Sequence, residues 1–291
     1  MSSSSNSAFR AALVQMCAGR DIARNVSDAI ALIEEAVAER ADYIQTPECT
    51  TLMEIDPDRL MAETKPEQGN EALAAFVAAA RKHRIWLHIG SMAVKVGERR
   101  LANRSYLFAP DGEIAARYDK IHMFDVDLGN GEVYSESVNY QAGSKAVLAE
   151  LPFGKLGLTI CYDLRFPALH RALAKNGARF IASPAAFTRI TGEAHWHTLL
   201  RARAIETETF VLAAAQGGKH ENGRETFGHS LIISPWGEIL AEGGVEPGVI
   251  VADVDTRRID EVRGKIPSLT HDRAFDITEA QPLQFETIRK S

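Results

Sequence analysis

Cys161 ends an apolar, β-branched run and is followed at once by a phenol, a carboxylate and a guanidinium, in Leu156-Gly-Leu-Thr-Ile-Cys-Tyr-Asp-Leu-Arg-Phe-Pro167. A thiol that a strand delivers to a polar turn has the setting of a nucleophile, although many free cysteines are only small buried hydrophobes. A helix opening at that turn would pull the thiol pKa down through its N-terminal dipole. Glu48 closes "YIQTPE", where Pro47 ends the strand and sets the chain direction. Taken by itself, a carboxylate there reads as a solvated loop group. Lys120, in "RYDKIHMFDVD", is flanked by Tyr118, Ile121, Met123 and Phe124. Part of that segment therefore faces inward, and its ammonium becomes a charge partner for buried carboxylates. Glu136, in "VYSESVNYQAG", adds a second acid in the same region. Cys49, beside Glu48, is a rival thiol without the strand-to-turn setting. His195 and His197 alternate on a helical stretch and so point apart. With no HExxH and no Cys/His ligand set, no metal site is expected.

Periodicity supplies the scaffold around these groups. The pattern predicts strands at 9–16 and 42–47. Between them it predicts a helix over 21–40 with apolar spacing at Ile22, Val26, Ala29, Ile30, Ile33 and Val37. An Ala-rich helix comes next at 71–84, then strands at 85–94 and 104–109 around the polar turn "KVGERR". Residues 119–144 show little periodicity and read as one long loop, of the kind that is functional or disordered in a compact domain. A second set then begins: strand 156–160, helix 167–176, strand 179–183, helix 193–208, and strands at 210–215, 229–234 and 249–254. Its order matches the first, and so does some text. "SYLFAPDGEI" reads against "SLIISPWGEI", and "YIQTPE" against "FIASPA". Shared turn chemistry explains part of this likeness; agreement in order as well predicts a degenerate internal duplication. Two such halves make an α/β protein, a four-layer α-β-β-α sandwich with two sheets face to face and helices outside. One domain is expected over 9–275, between a polar disordered tail at 1–8 and a C-terminal tail at 276–291.

Composition excludes several classes of function. The 291-residue chain is 45% hydrophobic and 25% charged, an ordinary globular balance. Its formal net charge of −6, with no basic run, argues against a nucleic-acid partner. No apolar stretch is long enough for a membrane span, and the polar start "MSSSSNS" lacks the apolar core of a signal peptide. Cys17, Cys49 and Cys161, odd in number and without CxxC spacing, predict a reducing, cytoplasmic setting and no disulfide framework.

Together, the motifs resemble those of the nitrilase, or carbon–nitrogen hydrolase, superfamily, over the stretch from "FRAALVQM" to "IPSLTHDR". The resemblance implies a Glu–Lys–Cys triad at Glu48, Lys120 and Cys161, with the family's additional glutamate at Glu136. "DKIHMFDVD", "TGEAHWHTLLRARAIET", "AAAQGG" and "GHSLIISPWGEIL" are similar to the Nit branch, whose members include deaminated glutathione amidases and ω-amidases. The resemblance further implies hydrolysis of a small-molecule amide through a cysteine thioester, with water and release of ammonia. Glu48 would be the general base, and Lys120 with the Tyr162 backbone N–H would stabilise the oxyanion. Glu136 would orient Lys120 or the leaving amide, and neither metal nor cofactor would be needed. An ω-amidase acting on α-keto acid amides is one alternative. A non-enzymatic partner-binding module on the same fold is another, against which the intact triad argues. The branch commonly carries Glu after "RFP" and after "AHW", where this chain has Ala168 and His197. That departure spares the triad and bears on substrate preference. The family habit of pairing also implies a homodimer, through the "RFPALHRAL" helix and the C-terminal tail.

Overall fold

The computed structural model describes residues 8–129 and 131–280. Two six-stranded sheets carry the fold. The first is built from β1 (Ala8–Gln15), β2 (Tyr43–Gln45), β3 (Trp86–Gly97), β4 (Arg100–Phe108), β5 (Ile114–Asp119) and, from the far end of the chain, β16 (Gly248–Asp255). A small hairpin comes after β5, made of β6 (Asp125–Asp127) and β7 (Val133–Ser135). The second large sheet contains β8 (Val147–Leu151), β9 (Gly154–Leu158), β10 (Ala178–Ala182), β11 (Phe210–Ala213), β14 (Leu231–Ile233) and β15 (Ile239–Glu242). Another hairpin, β12 (Gly217–Lys219) with β13 (Glu225–Phe227), leaves this sheet between β11 and β14.

The sheet orders are β16-β1-β2-β3-β4-β5 and β15-β14-β11-β10-β9-β8. From β16 and from β8 the two sheets repeat one pattern: antiparallel, parallel, parallel, antiparallel, antiparallel. The duplicated text therefore sits in equivalent strands, β4–β5 against β14–β15 and β2 against β10.

Alternation along the strands builds the layers. Ala11 and Leu13 of β1 face an inter-sheet core with Leu156, Leu158, Phe180 and Ala182, and Phe9 stacks on Phe153 at 4.1 Å. Ala12 and Val14 face the other way, toward Ile33 of α1 (Ile22–Ala38) and Phe76 of α3 (Glu71–His83). On the second sheet Ile181 packs outward against Leu173 of α4 (Pro167–Lys175), and α5 (Arg189–Thr207) lies beside α4 and over β11. Period-2 strands buried on both faces, covered by amphipathic helices, are the physical content of the four-layer α-β-β-α sandwich.

Several elements differ from expectation. The β3–β4 hairpin runs to Gly97 and restarts at Arg100, so the six-residue polar turn shrinks to Glu98 and Arg99, while Lys95 and Arg100 lie on the strand ends. Helix α5 begins four residues earlier than its apolar spacing predicts, capped by the Thr188 side chain accepting from Thr191 N. Gly192 weakens a helix reading there, yet the glycine is required: a Cβ at that point would lie 2.2 Å from Phe227 Cβ. Edge strands β5, β8 and β15 and the short helices α2 (Pro57–Glu63) and α6 (Arg257–Lys265) were not expected. They are brief or polar; α6 buries only Ile259 and Val262. The expected long loop does hold mostly irregular chain, interrupted by the β6–β7 hairpin and a 3₁₀ turn at Glu136–Val138. Of the two expected tails, 1–7 and 281–291 lie outside the described residues; Ala8 already opens β1, and 271–280 form no helix or strand.

Candidate active site

Glu48, Lys120, Glu136 and Cys161, far apart in sequence, line one cavity of about 780 Å³. Each arrives by a different local device. Strand β2 stops at Gln45, and the next residues are laced to β3 by Thr46 N to His88 O, Ser91 N to Pro47 O and Thr50 N to Ser91 O. The close approach there needs Gly90, where a Cβ would sit 2.1 Å from Thr46 O and 2.5 Å from Pro184 Cβ. Lys120 comes directly after β5, its N–H donating to Asn103 O at 3.0 Å. Glu136 is brought alongside by chain pairing with β4: Leu101 N donates to Asn139 O and Gln141 N to Leu101 O. Cys161 lies beyond the end of β9, in a left-handed backbone conformation at φ +50°. Such a conformation is uncommon for a residue with a side chain and recurs at functional sites. Its N–H donates to Pro184 O at 2.9 Å, and the chain then turns through Cys161–Arg165 as a 3₁₀ turn.

Asp163 locks this turn. Its fully buried carboxylate accepts from Ile160 N at 2.9 Å and Tyr118 Oη at 2.6 Å, and from His122 N at 3.1 Å. The Tyr162 N–H lies in the first turn of the 3₁₀ segment, where amide donors have no intrahelical acceptor. The Tyr162 ring lines the cavity with its edge toward Phe124, centroids 5.2 Å apart.

The charges are arranged around Lys120, which is 2% exposed. Its Nζ donates to Glu48 Oε1 at 2.9 Å and to Glu136 Oε2 at 2.8 Å. Asn103 Nδ2 bridges the same acids, 2.9 Å from Glu48 Oε1 and 3.1 Å from Glu136 Oε1. The Ala186 N–H holds the other Glu48 oxygen at 2.9 Å, and the Phe124 N–H holds Glu136 Oε2 at 2.7 Å. Burial pushes the Glu48 carboxyl up, but the Lys120 ammonium and a hydrogen bond from the Cys161 thiol outweigh it, so the acid ends below its ordinary range. Burial alone would lower Lys120; the two glutamates hold it well above the usual lysine value.

The thiol behaves contrary to expectation. No α-helix starts at Cys161, since α4 begins at Pro167. Burial and the Glu48 charge raise the thiol pKa well above its usual value, against smaller pulls from Lys120 and the Ala186 N–H. The expected depression by a helix dipole is thus corrected: a short 3₁₀ turn supplies too little dipole to offset burial beside a carboxylate. At rest these shifts leave a neutral thiol beside an ionised acid. Cys49 also lines the cavity, but burial and Glu48 push its thiol up to about 12, and the backbone of the Glu48–Cys49 pair is tied by Gln216 Nε2.

Sequence reasoning did not single out Asn103, Asp163, Ala186 or Arg224. An Asn within the strand text "RLANRSYLF" and an acid two residues after the thiol were the available signals; a backbone N–H such as that of Ala186 leaves none. Ala168 and His197 do not line the cavity. His195 Nδ1 lies 3.3 Å from Arg165 Nη2, whereas His197 Nε2 lies 2.9 Å from Glu242, so the two rings do diverge. His197, His229 and Glu242 form the one group of potential metal ligands among the described residues, half-exposed and away from the cavity.

Fold and site together define a two-sheet α/β sandwich whose cavity holds a thiol and a buried acid–ammonium pair. Residues 10–264 match the carbon–nitrogen hydrolase family model, and the chain belongs to that family, enzymes that act on carbon–nitrogen bonds. It is 41% identical over 271 residues to a deaminated glutathione amidase of Yersinia enterocolitica, covering 90% of this chain and 92% of that protein. To the omega-amidase NIT2 of Mus musculus it is 32% identical, covering 92% and 96%. Among solved structures it resembles Nit3 of Saccharomyces cerevisiae, a member of branch 10 of the nitrilase superfamily, with a TM-score of 0.83 at 29% identity, covering 92% and 97%.

Proposed function

We propose that this enzyme hydrolyses a small amide of the deaminated glutathione type through a thioester on Cys161. The observation that carries the reading is the buried Glu48 carboxylate, which accepts from the Lys120 ammonium at 2.9 Å and lines one cavity with the Cys161 thiol. The Cys161 sulfur attacks the amide carbon while Glu48 takes the thiol proton, so no free thiolate is needed. Negative charge develops on the carbonyl oxygen, which Lys120 and the Tyr162 N–H stabilise. The C–N bond then breaks, and protonated Glu48 returns its proton to the departing amine. Water enters, Glu48 takes one of its protons, and the hydroxyl displaces Cys161 from the thioester to leave a carboxylic acid and the restored thiol. Glu136 positions Lys120 and does not exchange protons with substrate. The chain works as one catalytic unit, in a reducing cytoplasm that accords with its free cysteines. It acts as a homodimer pairing through α4 and the C-terminal tail at 276–291, which follows the segment that Arg171 and Lys175 of α4 bind at Asp272.

The substrate assignment draws on the similarity to deaminated glutathione amidases; the likeness to an ω-amidase supports a second reading, in which an α-keto acid ω-amide is cleaved. The departing amine differs between them. A primary ω-amide releases ammonia, whereas deaminated glutathione releases the amine of cysteinylglycine. Assaying 2-oxoglutarate formed from deaminated glutathione and from α-ketoglutaramate, with ammonia measured alongside, separates the two. Higher kcat/KM for deaminated glutathione is expected. Higher kcat/KM for the ω-amide would establish the second reading, and no product from either substrate would sink both.

A further inference from the structure

Four cationic side chains line the cavity: Lys120, Arg165, Arg189 and Arg224. Two are spoken for. Lys120 serves Glu48 and Glu136, and Arg189 pairs with Glu193 at 2.9 Å and Glu225 at 2.8 Å. Arg165 and Arg224 have no carboxylate partner among the described residues. Arg165 is held at its Nη atoms by His195 and packs 5.4 Å above the Phe187 ring. Arg224 is more exceptional. One of its Nη groups donates to the Ala186 carbonyl, the other meets only the Met53 thioether at 3.9 Å, and its Cζ lies 5.3 Å from the Tyr134 ring. Its Nε is buried without any hydrogen-bond partner. A guanidinium keeps its charge at any working pH. One half-buried with no carboxylate in hydrogen-bonding contact, feeling Glu48 only at longer range and with a donor left unsatisfied, is stabilised by a ligand that supplies an anion.

Its placement says what that ligand must look like. Ala186 presents its N–H to Glu48 Oε2 and its carbonyl to Arg224, so the guanidinium stands one peptide unit from the base. The hairpin that carries it is braced by His220 N to Arg224 O, Arg224 N to Asn222 Oδ1 and Asn222 Nδ2 to Met53 O. Resting on the amidase reading, whose acyl group already carries a second carboxylate, we infer that Arg224 is the residue that receives that carboxylate. Arg165 lines the same cavity and can receive a second anionic group, but Arg224 carries the selection. The planar fork grips a carboxylate through two N–H donors, which an ammonium cannot reproduce.

The test compares glutaramate with its methyl ester, which replaces the carboxylate with a neutral group. Wild type should favour the acid about 10–100-fold in kcat/KM, the value of one charge-assisted hydrogen-bonded contact. In Arg224→Met this preference should collapse toward unity, through KM for the acid; Arg224→Lys should keep an intermediate preference and serves if the methionine variant does not fold. Calorimetry of glutarate on the Cys161→Ala protein reads the same contact without turnover, and binding should be lost when Arg224→Met is added. An unchanged acid-to-ester ratio in a folded Arg224 variant overturns the receptor, and so does transfer of the whole effect to Arg165→Met. Glutarate binding that depends on Arg224, with no ammonia from either amide, would retain the receptor and remove the amidase reading for these substrates. Turnover with equal rates on acid and ester would do the reverse.

Discussion

Replacing Lys120 by methionine keeps the side-chain length and removes the only ammonium between two buried acids. Glu48 and Glu136 side chains are 5% and 14% exposed, and in the native site both lie within 2.9 Å of Nζ. Breaking a buried ion pair by deleting one partner costs on the order of 3–5 kcal/mol, because the remaining charge is left uncompensated. For a chain of this size that is a fall of roughly 5–10 °C in Tm. The pH dependence gives the mechanism away. In wild type the Glu48 carboxyl is held below its ordinary value, so its contribution is present above about pH 4.3 and fades as pH falls through the native value. Without Lys120 the burial effect that Lys120 outweighs comes to dominate, the native-state pKa rises above the unfolded one, and the acid destabilises the fold at neutral pH. That penalty shrinks as the acid protonates. The melting gap between wild type and Lys120→Met should therefore be widest near pH 7 and narrow toward pH 4–5. Adding Glu136→Gln removes one of the facing charges and should recover part of the Tm but none of the activity. Calorimetric or circular-dichroism melts across pH, with amide hydrolysis measured on the folded fraction, check this. A Lys120→Met protein that melts with wild type at pH 7, or a gap that widens in acid, would refute the charge account of this site.

Glu48→Gln keeps the shape but cannot take a proton, and should cut kcat about 10²–10⁴-fold with little change in KM; wild-type turnover in the folded variant would remove Glu48 as base. Cys161→Ala should abolish turnover while Cys49→Ala keeps most of it, and hydrolysis quenched with acid should trap an acyl group on Cys161 by mass spectrometry; an acyl group on Cys49 would overturn the assignment. Asp163→Asn places an amide donor among the N–H and O–H donors that now converge on the carboxylate. It should lower Tm by several degrees and kcat more than ten-fold, since the turn bearing Cys161 loses its lock; a fully stable, fully active variant would show that the turn holds without it.

Much of this enzyme could be read from its chain. Periodicity placed the helices α1 and α3 and the central strands, because buried strands and amphipathic helices write their environment into local apolar spacing. The duplicated order of elements carried the two-sheet architecture, and Pro47 before Glu48 and the apolar approach to Cys161 marked where strands end and chemistry could begin. Elements with little local signature escaped. Edge strands such as β15 and the polar helix α6 owe their conformation to partners elsewhere in the chain, and Gly192 reads as a helix weakener until Phe227 is found against it. Sequence also could not say how the groups act on one another. The sign of the thiol shift depends on burial and on a carboxylate more than a hundred residues away, so Cys161 reads as an activated thiolate in the one-dimensional view and as a neutral thiol beside an ionised base in the folded one. Folding alone brings Asn103 between two acids, turns Ala186 so that its N–H holds Glu48 and its carbonyl accepts from Arg224, and leaves that arginine without a carboxylate partner among the described residues. Electrostatics and hydrogen bonding act through space, and they are decided when the two halves close on each other.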